Sequence, residues 1–156
     1  MIATSFYPPV YYSFMCSPCV RNLYLLCITV LGILAIPVSL IPAFQQPKYR
    51  PVRAALFGGM GVSGVVPCMH KLLVFHGEPV AYQTAVHEVI MGLLYGLGAV
   101  VYAMRVPERW RPGKFDLAGH SHQIFHVLVV AGAYTHYKAG LLYLQWRDST
   151  GCGFDG

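Results

Sequence analysis

The sequence predicts an all-α fold, a polytopic transmembrane helix bundle that forms a single domain over residues 1–156. Hydrophobic residues make up 56% of the chain, whereas charged residues make up only 11%. An ordinary globular domain has about 25% charged residues, so this chain has too few charges to cover a water-facing surface. Its apolar runs are long and continuous, without the alternation that is typical of strands in a transmembrane barrel.

Four apolar runs are each close to the roughly 20 residues that a helix needs to cross a bilayer. They are residues 23–44, 54–75, 85–104 and 120–144. Residues 1–15 are apolar but too short to span alone, so we interpret them as the end of a spanning helix. The polar, glycine-rich residues 145–156 are expected to form a loose tail.

Small residues and one proline shape these runs. The second run contains Gly58, Gly61 and Gly64, and the third contains Gly92 and Gly96. Because small side chains let helix backbones approach closely in a membrane, this spacing predicts helix packing. A proline inside the first run, at position 37, is expected to kink that helix.

Basic residues are concentrated in alternate links between the runs. Three lie in Lys48–Arg53 and four in Arg105–Lys114, whereas residues 16–22 have one and residues 76–83 have none. The positive-inside rule places the two basic links in the cytoplasm and the C-terminus on the extracytoplasmic side of a plasma membrane or endomembrane. The net charge of +5 therefore indicates membrane orientation. It does not indicate nucleic-acid binding, because no base-stacking aromatic set accompanies it.

The stretch Lys114–Tyr137 contains four of the seven histidines. His122 and His126 are four residues apart, which places both imidazoles on one face of a helix. This spacing suits zinc, but a catalytic zinc has about three protein ligands. His120 points to another face and His136 lies about 15 Å further along the axis, so neither completes the set. The alternative is a pair of histidines that hydrogen-bond to neighbouring helices.

Two other patterns carry less information. Cys16 and Cys19 form a CxxC without a second pair, which is typical of incidental thiols or a local disulfide. His87 and Glu88 do not continue as an HExxH motif, because Met91 occupies the position of the second histidine. We interpret them as a polar contact near the membrane interface.

The chain strongly resembles the progestin and adipoQ receptor family, also called the haemolysin III-related family. The family's last cytoplasmic loop and seventh helix are similar to PERWRPGKFDLAGHSHQIFHVLVVAGAYTHY. Its fifth helix and the end of its third helix are similar to RAALFGGMGVSGVVPCMHKL and YYSFMCSP. The resemblance covers nearly the whole chain and is to the plant heptahelical transmembrane proteins in particular.

This resemblance implies seven helices, a cytoplasmic N-terminus and an extracytoplasmic C-terminus. It also implies a Zn²⁺ near the cytoplasmic side that is held by three histidines, two of which correspond to His122 and His126. The third histidine belongs to the family's second helix, before the part matched here. We therefore expect this chain to be an N-terminally truncated form that starts late in the third helix and carries two of the three zinc ligands.

Three functions are compatible with these features. The first is a receptor-like membrane protein in hormone, sugar or stress signalling. The second is a zinc-dependent lipid amidase of the ceramidase type, in which His122 and His126 are metal ligands and the catalytic residues are not identified. The third is a non-catalytic membrane fragment. The expected partners are membrane lipids, a hormone or lipid ligand and other membrane proteins, with no nucleic acid.

Overall fold

A computed structural model describes residues 2–115 and 117–152 of the chain. Helices are the only regular elements in those residues, which confirms the predicted all-α fold. The α-helices are, in chain order, α1 (Ile2–Ser5), α2 (Tyr7–Ser13), α3 (Pro18–Leu40), α4 (Pro42–Gln45), α5 (Arg50–Ser63), α6 (Val65–Val74), α7 (Pro79–Met104) and α8 (Ser121–Thr150). A 3₁₀ helix covers Pro47–Tyr49.

Prolines determine both ends of α3. Pro18 is its first residue, where the missing N–H costs nothing because the first N–H groups of a helix have no intrahelical partner. At the other end, Pro42 disfavours the helical conformation for Ile41, which is extended with φ −72° and ψ 121°. As a result, α3 begins and ends earlier than the predicted run at 23–44. Pro37 lies inside the helix.

A proline also explains why the run predicted at 54–75 folds as two helices. Pro67 has no N–H to donate to the carbonyl of Ser63, so the helical ladder is interrupted between α5 and α6. The Ser63 hydroxyl donates to the carbonyl of Met60 at 2.7 Å. Gly64 lies at this junction, and the Phe6 ring packs so closely against it that an added Cβ would overlap the ring.

Three helical stretches in the described residues are long and apolar enough to cross a membrane, namely Pro18–Leu40, Ala55–Val74 and Pro79–Met104. They overlap the first three predicted runs. Helix α8 is not among them, although it has 30 residues, because histidine and lysine side chains interrupt its apolar sequence. The span predicted at 120–144 therefore stays a prediction.

The contacts divide the chain into two compact units. The first consists of Met1–Tyr82 with Leu142–Gly156, and the second of Gln83–Leu141. The first unit has an apolar core in which Ile28 and Ala35 of α3 pack with Met60 of α5. We describe each unit separately.

Buried polar side chains hold the end of α8 in the first unit. Arg147 Nε and Nη2 donate to the backbone carbonyls of Tyr12 and Ser13 at 2.6 and 2.7 Å. These carbonyls belong to the last turn of α2, where acceptors lack intrahelical donors and a positive charge is favourable. The hydroxyl of Tyr143 accepts from Lys71 Nζ at 2.6 Å and from the Ser13 hydroxyl at 3.2 Å.

These contacts explain why residues 145–150, which were expected to be loose, are helical. Helix α8 continues to Thr150, and Cys152 forms a disulfide bond with Cys16. Cys19, the other cysteine of the CxxC, is a free and exposed thiol. The rest of the expected tail, residues 153–156, lies outside the described residues.

In the second unit, glycines bring α7 and α8 into contact. Gly132 of α8 faces Tyr95 of α7, and a Cβ added to Gly132 would lie 2.5 Å from the ring atom Cε1. Gly98 of α7 faces Phe125 of α8, and a Cβ added there would lie 3.2 Å from the ring atom Cδ2. Each glycine thus makes room for an aromatic ring of the other helix.

Helix α7 ends in a turn of the Schellman type. Arg105 has φ 54°, in the left-handed region where glycine is the usual residue. The N–H of Val106 donates to the carbonyl of Val101 at 3.3 Å, which is the bond that closes such a turn. The turn stops the helix immediately after Met104 and starts the connection to α8.

We expect Gly132→Ala to destabilise the contact between α7 and α8 by about 1–3 kcal/mol, because the added methyl group forces Tyr95 out of its position. The measurement is the unfolding free energy of the purified protein in mixed micelles of denaturing detergent. Gly140→Ala is the matched control in the same helix, since a Cβ there meets no atom within 4 Å. Equal losses of stability in the two variants would contradict this account of the interface.

Candidate metal centre

His122 and His126 lie in the first two turns of α8, and both are exposed. Residues four apart share a helix face, and here the two imidazole rings meet with their centroids 4.6 Å apart. The Nε2 atoms approach each other to 3.0 Å. The structure therefore brings the predicted pair together, whereas its role as a metal ligand stays a prediction.

The distance between the two Nε2 atoms fits a shared zinc ion. Zn–N bonds of about 2.0–2.1 Å at a tetrahedral angle place two ligand nitrogens about 3.3 Å apart. The rings would have to separate by only about 0.3 Å from the observed 3.0 Å. Both Nε2 atoms would also need a free lone pair, so both rings would carry their proton on Nδ1. Two histidine ligands of a tetrahedral site can thus be supplied by this pair.

Aromatic side chains flank the histidine pair. The ring of Tyr102 on α7 lies 5.5 Å from that of His122, and the ring of Phe125 lies 5.4 Å from that of His126. Packing against these rings restricts the rotamers open to the imidazoles. Restricted rotamers favour a fixed ligand geometry.

The described residues offer two ligands at this point and no complete set. No group of three or more His, Cys, Asp or Glu side chains in residues 2–115 and 117–152 is arranged to hold a metal ion. The ring of His120 is 6.3 Å from that of His122 and precedes α8. His136 follows His126 by ten residues on the same helix, as expected.

Two other histidines have their own hydrogen-bond partners. His87 Nδ1 donates to the carbonyl of Gln83, one turn earlier in α7, at 2.8 Å. His70 Nδ1 lies 2.9 Å from the hydroxyl of Tyr24 in the first unit. These contacts are local or structural, so they do not extend the candidate metal centre.

Glu108 fixes the start of α8, and sequence reasoning missed it. Its carboxylate accepts hydrogen bonds from the Ser121 N–H at 2.8 Å and from the Ser121 hydroxyl. The hydroxyl bond, aided by the N–H bond and the charge of Arg105, holds the pKa of the Glu108 carboxyl below its ordinary value. The first turn of α8 contains no acidic residue, so Glu108 supplies the negative charge that a helix N-terminus favours. Because Ser121 precedes His122, this contact also positions the pair.

Comparisons with known proteins relate the chain to one membrane protein family. The model of the Haemolysin-III related family matches residues 1–137. The chain is 67% identical over 152 residues to heptahelical transmembrane protein ADIPOR3 of Oryza sativa subsp. japonica. It is also 67% identical over 152 residues to heptahelical transmembrane protein 4 of Arabidopsis thaliana. The identity to the adiponectin receptor protein of Drosophila melanogaster is 47% over 138 residues.

These matches cover most of the chain but less than half of each relative. They include 97% of the chain and 38% of the Oryza protein, and 97% of the chain and 40% of the Arabidopsis protein. For the Drosophila protein the shares are 88% and 31%. The chain therefore spans about two fifths of the length of these two plant relatives.

We expect Glu108→Gln to loosen the first turn of α8, because the amide carries no charge to oppose the helix dipole. Hydrogen-exchange protection of the Ser121 amide should fall in this variant. In the unmodified chain the pKa of Glu108 is lower when folded than when unfolded. The carboxylate's stabilisation is therefore complete above the ordinary pKa of 4.5 and is lost as the pH falls through the lower folded value.

The control for this prediction is Asp148→Asn, the same chemical change at an exposed position near the other end of α8. It should leave the protection of the Ser121 amide unchanged. Unaltered protection in Glu108→Gln would show that the Glu108–Ser121 contact does not hold the helix start.

Proposed function

Because the chain belongs to the haemolysin-III related family, we propose that it works as part of a receptor-like, multi-pass membrane protein with a zinc site at His122 and His126. Family membership makes the chain an integral membrane protein. The observation that supports the zinc site is the approach of the two Nε2 atoms to 3.0 Å. Ionisable side chains in a membrane helix are functional by default, which adds to this support.

A full set of about three protein ligands at the proposed site needs a further ligand from outside the described residues. The resemblance implies a third histidine in a segment that precedes the matched part, and the relatives are more than twice as long as the chain. Both histidines of the pair are exposed, so a further helix could approach the pair. Zinc would then fix α8 to that helix.

We propose signalling in response to a hormone, a sugar or stress as the output. One relative is named as an adiponectin receptor protein, and that name describes the Drosophila protein. A metal ion shared between α8 and another helix would couple their positions. A receptor could use such coupling to carry a change in one helix to the loop before α8.

The second candidate is a zinc-dependent lipid amidase, and the exposure of both imidazoles favours it. A lipid substrate could reach the ion from the membrane. Bound zinc would lower the pKa of a coordinated water to about 7 and polarise an amide carbonyl. In this function His122 and His126 hold the metal and take no proton from the substrate.

We expect the purified chain to bind zinc at the histidine pair. In a competition titration with a zinc-chelating dye, His122→Ala or His126→Ala should weaken binding at least about tenfold, or about 1.4 kcal/mol. His87→Ala is the matched control, because its half-buried imidazole is bonded to a carbonyl of its own helix and is not part of the pair. Equal zinc affinity in the unmodified chain and both pair variants would exclude the ligand assignment.

A chimera distinguishes the two functions. In it, this chain replaces the matching part of heptahelical transmembrane protein 4 of Arabidopsis thaliana, to which it is 67% identical. We expect the chimera to bind zinc with higher affinity than the chain alone, since a third ligand becomes available. Release of fatty acid from ceramide that His126→Ala abolishes would support the amidase. Zinc binding without fatty-acid release would support the receptor.

A further inference from the structure

The segment that connects α7 to α8, residues 105–119, carries a concentration of exposed basic side chains. It contains four basic and two acidic residues, namely Arg105, Arg109, Arg111, Lys114, Glu108 and Asp116. We propose that this connecting segment is a binding site for anionic lipid headgroups at the membrane surface. The proposal concerns a different ligand from zinc and does not depend on the histidine pair.

The basic side chains of the connecting segment are available to a ligand. All four are exposed. Among the described residues, no side-chain hydrogen bond or ion pair engages Arg109, Arg111 or Lys114. The carboxylate of Glu108 is already committed to the N–H and hydroxyl of Ser121. Glu108 is thus hydrogen-bonded to the start of α8, and its charge is paired over distance with that of Arg105. The segment carries four basic side chains against two acidic ones, so its formal net charge is +2.

A cleft of about 600 Å³ opens at the start of the segment, with Arg105, Arg109 and Glu108 in its wall. The Glu108 carboxylate accepts hydrogen bonds from Ser121, so the two arginines supply the donors in this wall. Small-molecule sites commonly have volumes of about 300–1,000 Å³, so the cleft has room for a headgroup. A guanidinium group presents its N–H donors in a planar fork that matches phosphate oxygens. Two such groups beside one cleft favour a phosphate-bearing ligand.

Large apolar side chains project from the same segment. The side chain of Trp110 is 72% exposed and that of Leu117 is 94% exposed. Tryptophan is enriched at membrane interfaces, where its ring lies at the level of the headgroups. Exposed cations beside an exposed tryptophan and leucine are typical of a chain segment that lies on an anionic membrane.

The position of the segment selects a lipid over a soluble anion. Helix α7 is long and apolar enough to cross a membrane and ends at Met104, so Arg105 emerges at a membrane surface. The positive-inside rule assigns that surface to the cytoplasmic leaflet, which contains the anionic lipids. A soluble phosphate would satisfy the arginines but would leave Trp110 and Leu117 in water.

The test uses the single-tryptophan variant Trp146→Phe, in which Trp110 is the remaining tryptophan. Its fluorescence in phosphatidylcholine vesicles is quenched by brominated phosphatidylserine or, in parallel, by brominated phosphatidylcholine. The quenching by brominated phosphatidylserine divided by the quenching by brominated phosphatidylcholine gives the preference for the anionic lipid next to Trp110. We expect a preference of several-fold that declines at high salt. A ratio of one would overturn the proposal.

Charge variants show which basic residues are responsible for the preference for the anionic lipid. Arg109→Gln and Arg111→Gln should each lower it up to about fivefold, whereas Arg109→Lys and Arg111→Lys should keep most of it. Lys138→Gln, which removes an exposed charge from α8 outside the segment, should have no effect. An equal effect of Lys138→Gln would overturn the assignment to this segment. Loss of the preference on adding inorganic phosphate, but not on adding chloride at the same ionic strength, would show that the site binds a soluble anion instead of a lipid.

A second measurement applies if Trp146→Phe does not fold. Native mass spectrometry of the chain with both tryptophans, released from detergent, should show retained phosphatidylserine. The Arg109→Gln, Arg111→Gln double variant should retain less of it than the corresponding double lysine variant. Equal retention by these two variants would contradict the proposal.

Discussion

The hydrocarbon core of a bilayer offers no hydrogen-bond partners. The polar groups of a spanning segment must therefore form their hydrogen bonds within the protein, and the structure depends on this constraint. Helix α3 shows the result. Its side chains of Leu23, Leu26 and Ile33 are each more than half exposed, as a lipid-facing surface requires. The hydroxyls of Thr29 and Ser39 donate to carbonyls four residues earlier in the same helix, at 2.5 and 2.8 Å. The polar groups are thus satisfied internally and the outer surface remains apolar.

The same requirement explains how the first unit accommodates buried cations. An uncompensated buried charge costs several kcal/mol, and Arg147 is only 5% exposed. The last turn of α2, for its part, has carbonyl groups that no donor in its own helix can reach. The guanidinium of Arg147 donates to the carbonyls of Tyr12 and Ser13. These bonds give the buried charge its partners and the carbonyls their donors. A short helix and a buried charge thereby stabilise each other.

The sequence predicts what depends on local order and misses what depends on distant partners. Apolar runs predict the positions of the helices, and the spacing of four between His122 and His126 predicts that their rings meet, as they do. The predicted run extends to residue 44, but α3 ends at Leu40, because the effect of Pro42 on Ile41 outweighs apolar continuity. Glu108 is thirteen residues before Ser121, and no periodicity links them. The only sequence signal was the absence of an acid in the first turn of α8.

Helix α8 differs from the other long helices in a way that connects fold with function. Its histidines and lysine make it less apolar than the three candidate spans, so a position in a membrane would depend more on protein contacts than on its own hydropathy. The contacts at two glycines join α8 to α7, where Tyr95 packs against Gly132 and Phe125 packs against Gly98. Phe125 also packs against the ring of His126. The contacts that hold the polar helix are therefore the ones that orient its histidines, and a change in the packing of α7 would alter the geometry of the candidate metal centre.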